Sequence, residues 1–324
     1  MAEPAGWSRP VTAVPPADDA SRGDGLAIEP DVETLATALK ADLAVGLGEL
    51  RAGVRDGLEA RDPESLLDQL GGGLASAIRR PPLAAQQALT ACRDPNASLG
   101  QILESFHQDP ALTQLLLKHA NSPFYATGSG CSSLIEAAQR VGLTGLHSVL
   151  MAATVEGLLC RPGGEYGAMV HQVWTHMVRT APLARRLARA TRLPHETAYT
   201  LGLLHDLGKL IVFDRLTALR AATHHTARIG RGFLREVLIR THGPMGGLAA
   251  LEWNLDPAAS RAIATHPREG RRYRDEVLSQ VLAIAEWADL SAIREETRDY
   301  DAFWKRAGLT LDLDACRAVL EEGR

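Results

Sequence analysis

The stretch Leu203-Leu204-His205-Asp206-Leu207-Gly208-Lys209-Leu210 sets an imidazole and a carboxylate side by side in an otherwise apolar run. Burying such groups without partners costs roughly 1–3 kcal/mol per unsatisfied hydrogen-bonding group, and more for a charge. A divalent metal ion is the simplest compensation for a His-Asp pair. If the stretch is helical, Lys209 lies one turn from His205 on the same face. A cation then stands beside the pair, an arrangement that suits a phosphate group. Gly202 and Gly208 leave room for a ligand to approach.

Composition frames that run. The chain has 324 residues, 45% of them apolar and 23% charged, as in an ordinary globular protein. Ala, Leu and Arg, all good helix formers, are abundant, aromatics make up 5%, and no period-2 strand pattern stands out, so an all-α fold is expected. A net charge of −4 and a pI near 6.3 leave no basic excess to displace counterions, which argues against nucleic-acid binding. The short pairs Arg185-Arg186 and Arg271-Arg272 read as solvated helix faces. Cys92, Cys131, Cys160 and Cys316 show no C-x-x-C spacing, so neither a zinc ribbon nor a disulfide framework is indicated. No apolar run approaches the ~20 residues of a membrane span, and no signal peptide opens the chain. The expectation is a cytoplasmic protein without a membrane partner.

Along the chain, residues 1–30 carry five prolines and little apolar content, which predicts a disordered tail. Residues 31–62 hold the stripe Leu35, Leu39, Leu43, Leu47, Leu50, Val54 and Leu58, an amphipathic helix expected to pack on its own domain rather than on a partner. A helical sub-bundle is expected over 63–163. In it, Asp109-Pro110 reads as an N-cap with proline at the first helical position, and two further segments run Leu134–Gly142 and Leu146–Leu159. Gly163-Gly164 marks the boundary with a second sub-bundle over 164–293, followed by a C-terminal helical tail over 294–324. Asp256-Pro257 opens a helix that Pro267 ends.

Four residues join His205 and Asp206. His176 shares a helical stripe with Met169, Val173, Leu183 and Leu187, in a pattern that Pro182 should kink or restart. Asp289 falls where a core residue is expected, on the stripe Leu282, Ala285, Asp289, Ile293. His242 lies at the turn before a helix Met245–Trp253, and His266 ends the helix that starts at Pro257. Singly, an inward histidine is more often a hydrogen-bonded core residue, and Asp289 alone could cap a helix or pair with an arginine. As a set on separate helices they point to a metal centre. His147, His171 and His224-His225 read as surface residues.

The order His176 … His205-Asp206 … Asp289 resembles the HD superfamily of metal-dependent phosphohydrolases. More specific is Asp109-Pro110-Ala111-Leu112-Thr113 … His119-Ala120-Asn121-Ser122-Pro123-Phe124-Tyr125, which is similar to the signature of the HDOD domain, a helical regulatory relative. Ile135–Leu143, Trp174-Thr175-His176, Gly202–Lys209 and Trp253-Asn254-Leu255 are similar to it too, so the resemblance covers about residues 75–290. It implies an all-α HD-like bundle used in bacterial signal transduction, with His176, His205, Asp206 and Asp289 as retained metal ligands. His242 and His266 resemble positions that serve a second metal in the related HD-GYP phosphodiesterases. Two features depart from that relative: Pro267 stands where its second consecutive histidine would be, and its GYP motif is absent.

Two functions follow as expectations. In the first, the chain is a regulatory protein that meets a protein partner in a signalling pathway, with helix 31–62 and tail 1–30 supplying contacts. In the second, it is a phosphohydrolase or phosphodiesterase acting on a phosphorylated small molecule or nucleotide. There one ion or two (Mn²⁺, Fe²⁺ or Mg²⁺) would sit at His176, His205, Asp206, Asp289, His242 and His266, with Asp206 and Lys209 catalytic. The regulatory reading is preferred, because the substrate-specific parts of the phosphodiesterases are missing.

Overall fold

Every regular element in the computed structural model is helical, and no strand occurs among the described residues: 31–55, 63–73, 75–81, 83–92, 94, 96–107, 110–121, 125, 130–160, 165–223, 229–266 and 277–322. The first half runs α1 (Val32–Arg55), α2 (Pro63–Gly71), α3 (Leu83–Ala91), α4 (Leu99–His107), α5 (Pro110–Ala120) and α6 (Leu134–Leu159). The second half runs α7 (Gly167–Ala190), α8 (His195–Leu204), α9 (Leu207–Thr223), α10 (Arg231–Glu252), α11 (Pro257–Thr265) and α12 (Val277–Ile293). Two short helices, α13 (Tyr300–Ala307) and α14 (Leu313–Glu321), close the chain. The expected tail 1–30, residues 56–62 of the amphipathic segment, the Asp109 cap, the Gly163-Gly164 break and His224-His225 lie outside the described residues.

The stripe of α1 is buried as predicted, at Leu35, Leu39, Leu43 and Leu50, and it packs along α10. At Gly46 a methyl group would stand 2.5 Å from the Arg240 carbonyl oxygen, so the two helices are in backbone contact. The apolar face of α1 is therefore covered within the bundle and does not offer a partner surface of the kind the regulatory reading first supposed.

One expected break is kept, at Gly142, and two helices, α7 and α10, differ from the sequence reading. The expected segments Leu134–Gly142 and Leu146–Leu159 lie on either side of a non-helical break at Gly142, whose φ of 73° and ψ of 173° only glycine adopts cheaply, and α6 counts both as one element of 26 residues. Merged in this way, α6 has the length and apolar composition of a membrane span, yet half of its most apolar window is buried inside the protein. Pro182 neither ends nor restarts α7, which packs against α8 and α12 and has Ala181 and Ala184 fully buried on either side of it. Pro244 lies inside α10, so His242 sits within a helix rather than at a turn. All residues from Thr241 to Leu251 are buried there, and packing against α9 and α11 overrides the breaker signal of Gly243-Pro244.

One continuous core runs from Leu35 on α1 to Leu282 on α12. A second cluster joins Leu187 and Ala188 of α7, Ile284 and Ala288 of α12, and Trp304, Cys316 and Leu320 of the last two helices. The C-terminal helices thereby brace α7 and α12, the two helices that carry His176 and Asp289.

Candidate metal centre

Helix α8 ends at Leu204 and α9 begins at Leu207, so His205 and Asp206 form the elbow between them. That elbow is pressed against α10. A methyl group on Gly208 would stand 1.8 Å from the His242 carbonyl oxygen, and one on Gly202 would stand 2.8 Å from the Ala181 Cα. The space these two glycines leave is therefore filled by neighbouring backbone rather than by a ligand. His176 projects from the middle of α7, His242 from α10, and His266 from the C-cap of α11. All are buried: His176 is 8% exposed, His205 0%, Asp206 1%, His242 4% and His266 3%.

Each imidazole is fixed through Nδ1. His205 Nδ1 donates to the Gly202 carbonyl at 2.9 Å, His242 Nδ1 to Leu238 at 2.5 Å, and His266 Nδ1 to Ile263 at 2.6 Å. His176 Nδ1 donates to Asp289 Oδ2 at 2.7 Å, while Arg179 Nε holds Asp289 Oδ1 at 2.8 Å. We assign the ring proton to Nδ1 in all four from these partners. Four Nε2 lone pairs then face one small space. Two of them, on His176 and His205, lie 3.2 Å apart, a repulsive contact unless a cation or proton stands between them.

Asp206 is the hub. Its Oδ2 lies 3.6 Å from His205 Nε2, and its Oδ1 lies 3.6 Å from His266 Nε2 and 3.8 Å from His242 Nε2. Oδ1 is buried and accepts no hydrogen bond. Lys209 Nζ is 2.7 Å from Oδ2, so the ammonium pairs with Asp206 across the elbow instead of lining up over His205. Burial drives the His205 imidazole well below its ordinary pKa and pushes His242 down to about 3, with Lys209 adding to the effect at both. Burial alone would raise Asp206, but the Lys209 ammonium, then His205 and the other imidazoles, hold its carboxyl well below the usual carboxylate range. At neutral pH the pair at the elbow is thus a neutral imidazole and a carboxylate, the protonation state in which each ligates metals.

Three sets of possible ligand atoms lie within 4.8 Å of one another: His176, His205 and Asp206; Asp206, His242 and His266; and His205, His266 and Glu286. The donors fit a divalent ion, in that the His176 and His205 Nε2 atoms meet at 3.2 Å beside a buried Asp206 oxygen that accepts no hydrogen bond, where an ion would satisfy them. Asp289 stands outside these sets and pairs with His176 Nδ1, which fixes the orientation of that imidazole. Glu286 is half-buried and was missed in the sequence; α12 also carries Ser279, Gln280, Asp289 and Ser291, so one more polar residue there gave no distinct signal. Arg185 was also misread. It is 1% exposed and paired with Glu196 and the Tyr125 hydroxyl, whereas a solvated face was expected.

Fold and site together define an all-helical protein built around a buried His/Asp centre. The HDOD domain model matches residues 78–269, well over half of the chain, and the protein belongs to that family. An uncharacterised protein of Treponema pallidum (strain Nichols) is 29% identical over 185 residues, 54% of this chain; the chain spans about a third (35%) of that relative's length. A crystal structure from Shewanella amazonensis SB2B, provisionally named a phosphohydrolase, superposes with a TM-score of 0.61 at 22% identity, over 78% of this chain and 93% of that one. One from Marinobacter aquaeolei VT8, provisionally named a signal transduction protein, superposes with a TM-score of 0.56 at 19% identity, over 90% of this chain and 65% of that one. At these identities the likeness shows a shared fold.

Proposed function

We propose that this chain is a regulatory protein of bacterial signal transduction, acting through protein contacts, whose bundle holds divalent metal in a sealed centre. The observation that carries the reading is the convergence of four Nε2 lone pairs on Asp206 in a core where each ligand is at most 8% exposed. His176, His205 and Asp206 would hold one ion, and Asp206, His242 and His266 a second. Four imidazoles beside a carboxylate favour Fe²⁺ or Mn²⁺ over Mg²⁺, which prefers oxygen donors. Ligands buried to this degree suit an ion that ties α7, the α8–α9 elbow, α10 and α11 together, and through them sets the surface a partner meets.

Lys209 favours a second reading, the metal-dependent phosphohydrolase. Its side chain is 25% exposed and its ammonium stands at Asp206 Oδ2, on the solvent side of the centre. When bound, a divalent ion would supply Lewis acidity and lower the pKa of a coordinated water. Lys209 would offset charge developing on a phosphoryl group, and Asp206 would hold or pass a proton at Oδ2. The name of the Shewanella neighbour supports this reading as a class only.

Turnover decides between the two. Mn²⁺-loaded protein would be assayed on bis(p-nitrophenyl) phosphate and on a cyclic dinucleotide, beside His205→Ala. The regulatory reading predicts no hydrolysis above the variant's background. Hydrolysis that needs His205 would replace it with the enzymatic one.

A further inference from the structure

The three ligand sets overlap in a closed pattern. His205 belongs to the first and third, Asp206 to the first and second, and His266 to the second and third. Glu286 enters with His205 and His266, one residue from each of the two ion positions proposed above. It comes from α12, one helical turn before Asp289, and α12 is packed along α7 and α8 by Ile284, Ala285 and Ala288. Asp289 fixes that helix's register at the centre through His176 and Arg179.

The geometry points to Glu286 as a second carboxylate shared between two ion positions. This rests on the metal reading above and deepens it, for it makes the centre a two-ion site closed by two carboxylates from different helices. Electrostatics supply the reason. Two divalent ions bring four positive charges into a pocket whose ligands otherwise include one carboxylate, and a low-dielectric core makes their mutual repulsion costly. A second negative group between the ions relieves that repulsion and supplies the oxygen donor that Mn²⁺ and Fe²⁺ favour.

The test is Mn²⁺ titration of metal-free full-length protein, read by calorimetry and by the exchange-coupled electron paramagnetic resonance signal of a paired Mn²⁺ site. The parent should take up two equivalents and show the coupled signal. Glu286→Gln keeps the shape and loses the charge; it should retain helical content, bind the second equivalent at least about tenfold more weakly, and lose the coupled signal. Glu286→Asp, with the carboxylate kept, should recover part of the second binding event. Two equivalents at unchanged affinity in Glu286→Gln would overturn the assignment, as would a parent that binds only one. A parent that binds no Mn²⁺ at all contradicts instead the metal reading on which it rests.

Discussion

At Gly208 a methyl group would meet the His242 carbonyl oxygen at 1.8 Å, so this position admits no side chain while α9 and α10 keep their spacing. Gly208→Ala should force the elbow away from α10, destabilise the protein by about 1–3 kcal/mol in chemical denaturation, and weaken metal uptake through displacement of His242. A normal midpoint would show that the helices separate at no cost. His119 offers a test of buried titration away from the centre. Burial, with Arg185 adding to it, lowers its pKa from 6.5 to about 4, between the rings of Tyr125 and Tyr199. The folded imidazole stays neutral while the unfolded one takes up a proton below 6.5. Its contribution is therefore intact above pH 6.5 and is lost as pH falls toward 4, by about 1.4 kcal/mol per pH unit. His119→Phe should flatten the fall in stability over that window relative to the parent, and parallel pH profiles would contradict the burial. In the sequence His119 belonged to a family signature and nothing more; its titration arises from neighbours that only the fold brings near.

Among elements, the contact between α7 and α8 carries the highest electrostatic stakes. Arg185 is buried on α7, pairs with Glu196 at the start of α8, and lies 4.8 Å and 5.0 Å over the rings of Tyr125 and Tyr199. Removing the carboxylate leaves a buried cation without its counter-charge, at a cost of about 3–5 kcal/mol. Glu196→Ala should unfold at markedly lower urea concentration than Glu196→Asp, and equal midpoints would show that the pair contributes little. Element existence was legible where apolar residues recur at helical spacing, as in α1 and in α11 with its Asp256 cap. It failed where proline was read as local punctuation. Gly142 divides α6 with a non-helical φ and ψ, as the sequence implies, whereas Pro244 sits in a helix whose residues Thr241 to Leu251 are all buried. The outcome at Pro244 is decided by packing of α10 against α9 and α11, which no local window contains. Arg185-Arg186 failed for the same reason, since charge alone does not tell a solvated arginine from one that a distant Glu196 will bury.

For the whole molecule, the polar residues that an apolar setting made conspicuous are the ones the fold brings together. His176, His205, Asp206, His242 and His266 converge from α7, the α8–α9 elbow, α10 and α11, and Asp289 reaches them through His176. Conflict with the local pattern made them visible in the sequence. Glu286, half-buried, created no such conflict and became visible only when α12 was placed. An ion held at this hub would bind the native bundle and have no equivalent site in the unfolded chain. Mn²⁺ at a hundredfold excess over its Kd should therefore stabilise the protein by about 2.7 kcal/mol, read as a rise in Tm that His205→Ala lacks. No shift in the parent would mean that the centre is closed to metal.

Metal content of the purified protein reports on whether the buried His/Asp hub holds an ion. Elemental analysis would be run on the purified protein, desalted without chelator, beside a His205→Ala/Asp206→Ala variant whose helical content is checked. One or two equivalents of a transition metal in the parent, absent from a still-helical variant, is the predicted result. A parent without metal after reconstitution with both Mn²⁺ and Fe²⁺ would contradict the account.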